Sequence, residues 1–105
     1  MPSKNVGCVY STGPPELRCD ILSGLKPEPR RKCELDWTGF FMHPTGVARP
    51  NCAGDTAYDR RAPLLAYGRT WRRGGFVCAS RTTGLRCTNR SGRGFVLNRR
   101  RSFTF

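Results

Sequence analysis

Two blocks of eight residues, Leu17 to Gly24 and Leu85 to Gly92, share Leu-Arg-Cys at their start and Ser-Gly at their end, five identities in eight. In each case an earlier cysteine, Cys8 or Cys78, precedes the block across a stretch rich in Thr, Gly or Pro. Self-similarity of this kind marks one supersecondary unit used twice, here a hairpin with one cysteine on each strand. Ser11-Thr12-Gly13-Pro14-Pro15 must reverse the chain in the first unit. In the second, counting inward from the cysteines leaves Thr82-Thr83 at the centre, with Gly84 beside them to take a positive φ. Directly opposed residues of antiparallel strands stand about 4.5 to 5.5 Å apart, a separation that suits a disulfide. The expected bridges are therefore Cys8–Cys19 and Cys78–Cys87. Cys33–Cys52 follows by elimination as one connectivity out of fifteen.

A chain of 105 residues with 37% hydrophobic content builds only a modest core, and three covalent staples fit a disulfide-supported exported domain. Zinc is the competing use of six cysteines. There is no Cys-x-x-Cys knuckle and His43 is the only histidine, so no metal or other cofactor is expected. No run approaches the ~20 apolar residues of a membrane-spanning helix. The cysteines point to a secreted, periplasmic or cell-envelope protein whose signal peptide has been removed.

Taken in order, Leu17, Cys19 and Ile21 alternate onto one face of a strand. Residues 23–32, with Pro27 and Pro29, form a connector. Trp37 to Met42 is the most apolar run and reads as a buried strand, in which Gly39 marks a bulge or a close backbone approach. His43 to Gly46 is a turn. Asp55 to Asp59 suits one helical turn capped by Asp55. Leu64 to Gly68, Thr70-Trp71 and Gly74 to Val77 read as short strands and turns, and Gly94 to Leu97 as a last strand. Short strands at this spacing predict one all-β domain over residues 1–105, barrel-like or a sandwich, with two related disulfide-bridged hairpins and little helix. Trp37, Phe40 or Phe41, Phe76 and Phe95 are the expected aromatic core.

Several residues invite a functional reading with a plainer one beside it. A hydrolase would have to be built on His43, which sits at a strand end beside a turn, and all six cysteines are committed to bridges, so no catalytic residue is assigned and an enzyme is not expected. Asp55 and Asp59 could work as an acid/base pair, but a cap at Asp55 and pairing of Asp59 with Arg60, Arg61 or another neighbour account for them. Arg93 to Leu97 matches one fragment of an RNA-recognition motif without its partner strand, and Gly-x-Gly before Phe95 is explained as a turn opening a core strand. Asn89-Arg90-Ser91 matches a glycosylation sequon that matters only in a eukaryotic secretory host.

Charge is the strongest functional signal. The net charge is +12. Residues 53–105 carry twelve Arg against Asp55 and Asp59 alone, whereas residues 1–52 are nearly balanced. Arginine favours bidentate contact with phosphate and carboxylate. The expected binding residues are Arg60, Arg61, Arg69, Arg72, Arg73, Arg90, Arg93, Arg99, Arg100 and Arg101, set among Trp71, Phe95, Phe103 and Phe105. If strands gather them on one face they make a basic patch with aromatic interleaving; if not, the charge serves solubility.

Pro2-Ser3-Lys4-Asn5-Val6-Gly7-Cys8, Leu17-Arg18-Cys19-Asp20-Ile21, Cys52-Ala53-Gly54-Asp55-Thr56, Tyr67-Gly68, Gly75-Phe76-Val77-Cys78, Gly84-Leu85-Arg86-Cys87-Thr88-Asn89 and Gly92 to Leu97 together resemble a family of small exported bacterial domains, mostly actinobacterial and of unknown function. The chain departs from that pattern at Lys4, where the family tends to have Gly. The resemblance implies export and a shared disulfide fold and assigns no catalytic residue. The function expected is a non-catalytic, monomeric binding domain whose Arg-rich half contacts an anionic envelope polymer, a nucleic acid or an acidic protein. A secreted inhibitor or toxin-like effector docking a rigid loop into a protein target is the alternative, and a small hydrolase or nuclease a third.

Overall fold

The computed structural model describes residues 4–105. Among the described residues nine strands form two antiparallel meanders. The first sheet runs β1 (Val6–Ser11), β2 (Glu16–Ile21), β3 (Asp36–Met42) and β4 (Arg49–Ala53), and the second β5 (Thr70–Arg73), β6 (Phe76–Arg81), β7 (Gly84–Thr88), β8 (Gly94–Leu97) and β9 (Phe103–Thr104), each in chain order. The inner faces of the two sheets share one core, so of the two expected architectures the sandwich is realised.

The repeated hairpins are β1–β2 and β6–β7. Cys8 stands opposite Cys19 and Cys78 opposite Cys87, with Cα separations of 4.0 and 4.1 Å. Both pairs are bridged, and Cys33–Cys52 ties the proline-rich connector to β4. Thr82-Thr83 is the two-residue turn, and Gly84 follows it with φ +136°. The repeat reaches further than the sequence blocks. Cys19 pairs on its other side with Phe40 of β3, and Cys87 pairs with Phe95 of β8, so each unit is a three-stranded Cys–Cys–Phe ladder. The residue before each Phe is Gly39 or Gly94, and a Cβ there would lie 1.9 Å from the Cys19 carbonyl oxygen or 1.8 Å from that of Cys87. Only glycine lets the strands close up. β3 also slips register between Trp37 and Gly39, so the bulge and the close approach expected at Gly39 both occur. The two ladders meet at the centre, where the Phe40 and Phe95 rings lie 5.6 Å apart.

Leu17, Cys19, Ile21, Phe76, Leu85 and Leu97 complete this core from alternating positions. Phe41 turns to the opposite face and is only half-buried, and Trp37 packs at the core's edge. Asn89 ties the sheets at one end. It is 8% exposed, and its amide nitrogen donates to the carbonyls of His43 and Gly46 while its Oδ1 accepts from the N–H groups of Ser91 and Arg93. The sequon asparagine is thus an internal clamp.

One expectation fails. Residues 55–59 form no helical turn, and no helix occurs among the described residues. A cap at Asp55 would need the N–H groups of Ala57 and Tyr58, but Ala57 donates to Asp20 Oδ2 and Tyr58 to Thr56 Oγ1. Of the short strands and turns expected from Leu64 to Gly68, a turn forms and a strand does not. A turn closed by the Arg69 N–H on the Ala66 carbonyl bends the chain there, and pairing with β6 begins only where Gly68 N–H meets the Ser80 carbonyl.

Candidate anion-binding face

Alternation along the strands gives each sheet an outer face, and the repeat places Arg18 of β2 and Arg86 of β7 at equivalent positions on the two. Their surroundings differ. Arg18 donates from Nε to Asp20 Oδ1 at 3.1 Å and from Nη2 to Asp20 Oδ2 at 2.8 Å. Nη2 also reaches the carbonyl and Oδ1 of Asp55, each at 3.2 Å. The hydrogen bond to Asp20 chiefly, with the charges of Asp20 and Asp55, raises the Arg18 pKa above its ordinary value against the opposing effect of burial. Asp20 is only 1% exposed, because the chain after β4 crosses this face, Ala57 bonding to Asp20 and the Tyr58 backbone lying against Gly7. The first sheet's outer arginine is thus paired with acids and partly covered.

Arg86 has Thr88 where Arg18 has Asp20, and no described residue hydrogen-bonds to its side chain. It is exposed and makes no hydrogen bond or ion pair among the described residues; its guanidinium carbon lies 4.1 Å from the centre of the Phe105 ring. One cross-strand row on this face runs Thr70, Ala79, Arg86, Val96, Phe103, and the next runs Arg72, Val77, Thr88, Gly94, Phe105. Small and apolar side chains make a low floor from which Arg72, Arg86 and the two phenylalanines rise. Arg72 and Arg86 are two strand spacings across and one row along from each other, roughly 12 Å. Arg81 adds a third cation at the β6 end, and Arg101 lies 5.5 Å from the Phe103 ring. Residues 70–105 contain nine arginines and no Asp, Glu or Lys, so no acid from the sheet's own strands neutralises the face.

The ten arginines expected to bind are therefore divided. Arg72 and Arg101 join this face. Arg60 and Arg73 converge instead on a groove beside β1, where Arg73 stacks 5.0 Å from the Tyr10 ring. Arg99 and Arg100 flank a second hollow of about 380 Å³ next to Tyr67 and the Thr82-Thr83 turn. They are presented by a loop in which Asn98 accepts from the Arg100 N–H and Ser102 bonds back to Asn98. The Arg90 side chain lies over Gly75 at the β5–β6 turn, and Arg61, Arg69 and Arg93 are exposed separately. Of the aromatic residues, Phe103 and Phe105 lie on the face. Trp71 points inward and Phe95 is 0% exposed, so neither interleaves with the charges. Arg81 and Arg86 were not among the expected residues. The signal for Arg86 was present in the alternation Leu85-Arg86-Cys87, which turns the arginine outward whenever its neighbours are core.

The remaining candidates hold local structure. His43 is exposed at its turn, with Nδ1 3.1 Å from the Pro15 carbonyl oxygen. Asp59 accepts from the Arg61 backbone N–H rather than pairing with an arginine side chain. Among the described residues no three His, Cys, Asp or Glu side chains gather as a metal site, and no helix is long and apolar enough to cross a membrane.

Comparison with known proteins places the chain. A family model matches residues 15–105. The chain belongs to a family of unknown function, DUF6636. The match begins in the first hairpin's turn and takes in β2 to β9, so Arg18, Arg86 and the whole outer face of the second sheet lie within the DUF6636 region. No curated protein and no solved structure matches the chain.

Proposed function

We propose that this DUF6636 protein is a non-catalytic exported binding domain, acting as a monomer at the bacterial cell envelope or beyond it, that lays an anionic polymer across the outer face of its five-stranded sheet. The observation that carries the reading is the contrast between the two equivalent arginines. Arg18 is occupied by Asp20 and Asp55, whereas Arg86 is exposed on a face without acids and stacked on Phe105. A guanidinium held against a ring keeps its N–H edges free for phosphate or carboxylate, and its orientation is restricted before the ligand arrives. Arg72 and Arg81 repeat the charge along the sheet, which suits a polymer with regularly spaced anions better than a single small anion. Three disulfides support export, since such bridges persist in oxidising compartments.

The test is the salt dependence of binding to heparin, teichoic acid and DNA. Binding should weaken steeply with salt, with a log–log slope of several units, and Arg72→Ser, Arg81→Ser and Arg86→Ser should each lower the slope by about one. Failure of the wild type to bind any of the three at low salt would end the proposal.

A further inference from the structure

A second surface, separate from the Arg86 face, lies along the free edge of β1. A groove of about 680 Å³ opens there between β1, residues 57–65 and the start of β5. Its floor is apolar, formed by Leu17, Leu65, Trp71 and Leu85, and it reaches between the two sheets. At its mouth Val9 and Leu64 are 47% and 63% exposed. These side chains leave water only if something covers them.

The backbone of β1 supplies the second half of the site. Leu22 donates its N–H to the Asn5 carbonyl, which makes Asn5 and Leu22 a hydrogen-bonded pair; by alternation Gly7 and Val9 also bond to β2. The N–H and C=O groups of Cys8 and Tyr10 must then point the other way, into the groove. Their close pairing across β2, 4.0 Å between the Cys8 and Cys19 Cα atoms, fits the non-hydrogen-bonded type. β1 is the outer strand of its sheet, and no protein group among the described residues bonds to these four polar atoms. Two donors and two acceptors at regular strand spacing above an apolar floor form a template for one more strand.

The charge around the groove selects the strand. Lys4, Arg60 and Arg73 stand at its rim, against Asp59 as the one acid lining it. Asp59 is partly spent on the Arg61 N–H. We propose that the β1 edge binds an extended acidic segment of a partner protein as an added antiparallel strand. Residues opposite Cys8 and Tyr10 would exchange backbone hydrogen bonds and turn two large apolar side chains towards Leu17, Trp71 and Leu85. The residues between and beside them would carry carboxylates to Arg60, Arg73 and Lys4. The disulfide at Cys8 holds the template strand in place before binding.

The probe is the peptide acetyl-Glu-Leu-Glu-Phe-Glu-amide, followed by amide hydrogen exchange and chemical-shift mapping on the intact disulfide-bonded protein. The amides of Cys8 and Tyr10 should become at least about tenfold more protected, as expected when an open edge is paired. The peptide methylated on the Leu and Phe nitrogens should not bind, because those N–H groups are the donors to β1, and the Lys-for-Glu peptide should not bind either. Arg60→Glu with Arg73→Glu, both at exposed positions, should weaken binding at least about tenfold with the fold intact by circular dichroism. Arg86→Ser should leave it unchanged, which separates this site from the polymer-binding face. Equal binding of the methylated peptide, or shifts confined to Arg86 and Phe105, would overturn the proposal. So would concentration-dependent protection of Cys8 and Tyr10 without peptide, which would assign the edge to a second copy of the chain.

Discussion

The two sheets are built on one plan inside and on different plans outside. Inside, Cys8, Cys19 and Phe40 repeat as Cys78, Cys87 and Phe95, each Phe preceded by a glycine that lets the backbones close. Even the ends of the blocks agree, since Gly24 and Gly92 both take positive φ, +82° and +71°. Outside, Arg18 is tied to Asp20 and Asp55 under a crossing segment, while Arg86 is exposed beside a phenylalanine. The difference teaches where a duplicated unit can diverge. An inner position must fit a packed neighbour to within a methyl group, whereas an outer position answers only to what crosses above it, and the chain after β4 crosses the first sheet.

The steric half of this comparison should give the largest effects. Gly39→Ala and Gly94→Ala should each destabilise by more than about 4 kcal/mol or prevent folding, because the added methyl would overlap a carbonyl oxygen in a rigid ladder. Urea denaturation of both variants checks it, and tolerance at one site alone would mean that the ladders are not equivalent. Phe40→Ala and Phe95→Ala should cost about 3 to 5 kcal/mol each. Since their rings touch, a double-mutant cycle should return a coupling of about 0.5 to 1.5 kcal/mol. Additive losses would show two independent half-cores.

The outer arginines should separate in stability. Arg18→Ser leaves the buried Asp20 carboxylate with the Ala57 N–H as its remaining partner and should cost about 1 to 3 kcal/mol. Arg86→Ser removes an exposed side chain and should change stability by less than about 0.5 kcal/mol while weakening polyanion binding. Equal losses in thermal melts would break the contrast on which the proposed function rests. The smallest effect is expected at Ser80, whose buried hydroxyl has no hydrogen-bond partner among the described residues. Ser80→Ala should leave the melting temperature unchanged or slightly raised, because it removes an unpaired polar group from the second sheet's interior.

Much of the fold was legible because it depends on neighbours in sequence. Hairpin closure, the Thr82-Thr83 turn, the pairing of the four hairpin cysteines and the burial of Leu17, Cys19 and Ile21 all follow from local turn chemistry and alternation of period two. The errors lie where a distant group competed for a local one. Asp55 carries the signature of a helix cap, yet Asp20, far away in the chain, takes the amide that the cap needed. The sequon match at Asn89 is silent on its structural role, which is to bond the carbonyls of His43 and Gly46 in the β3–β4 turn. Arg86 stands between Leu85 and Cys87, outside any run of arginines, and the face is assembled across strands, where sequence neighbours point to opposite sides.

By itself the sequence determined the class of fold, the three bridges and the acid-free charge of residues 70–105, because periodicity, turn residues and composition belong to the chain before it folds. Only the tertiary structure decided which arginines share a face, that Arg18 is neutralised and Arg86 is not, and that the edge of β1 opens onto an apolar groove. Those outcomes depend on the register of β5 to β9 and on the path of residues 54–66 over one sheet. Both are settled by packing between segments far apart in sequence, and no local pattern encodes them.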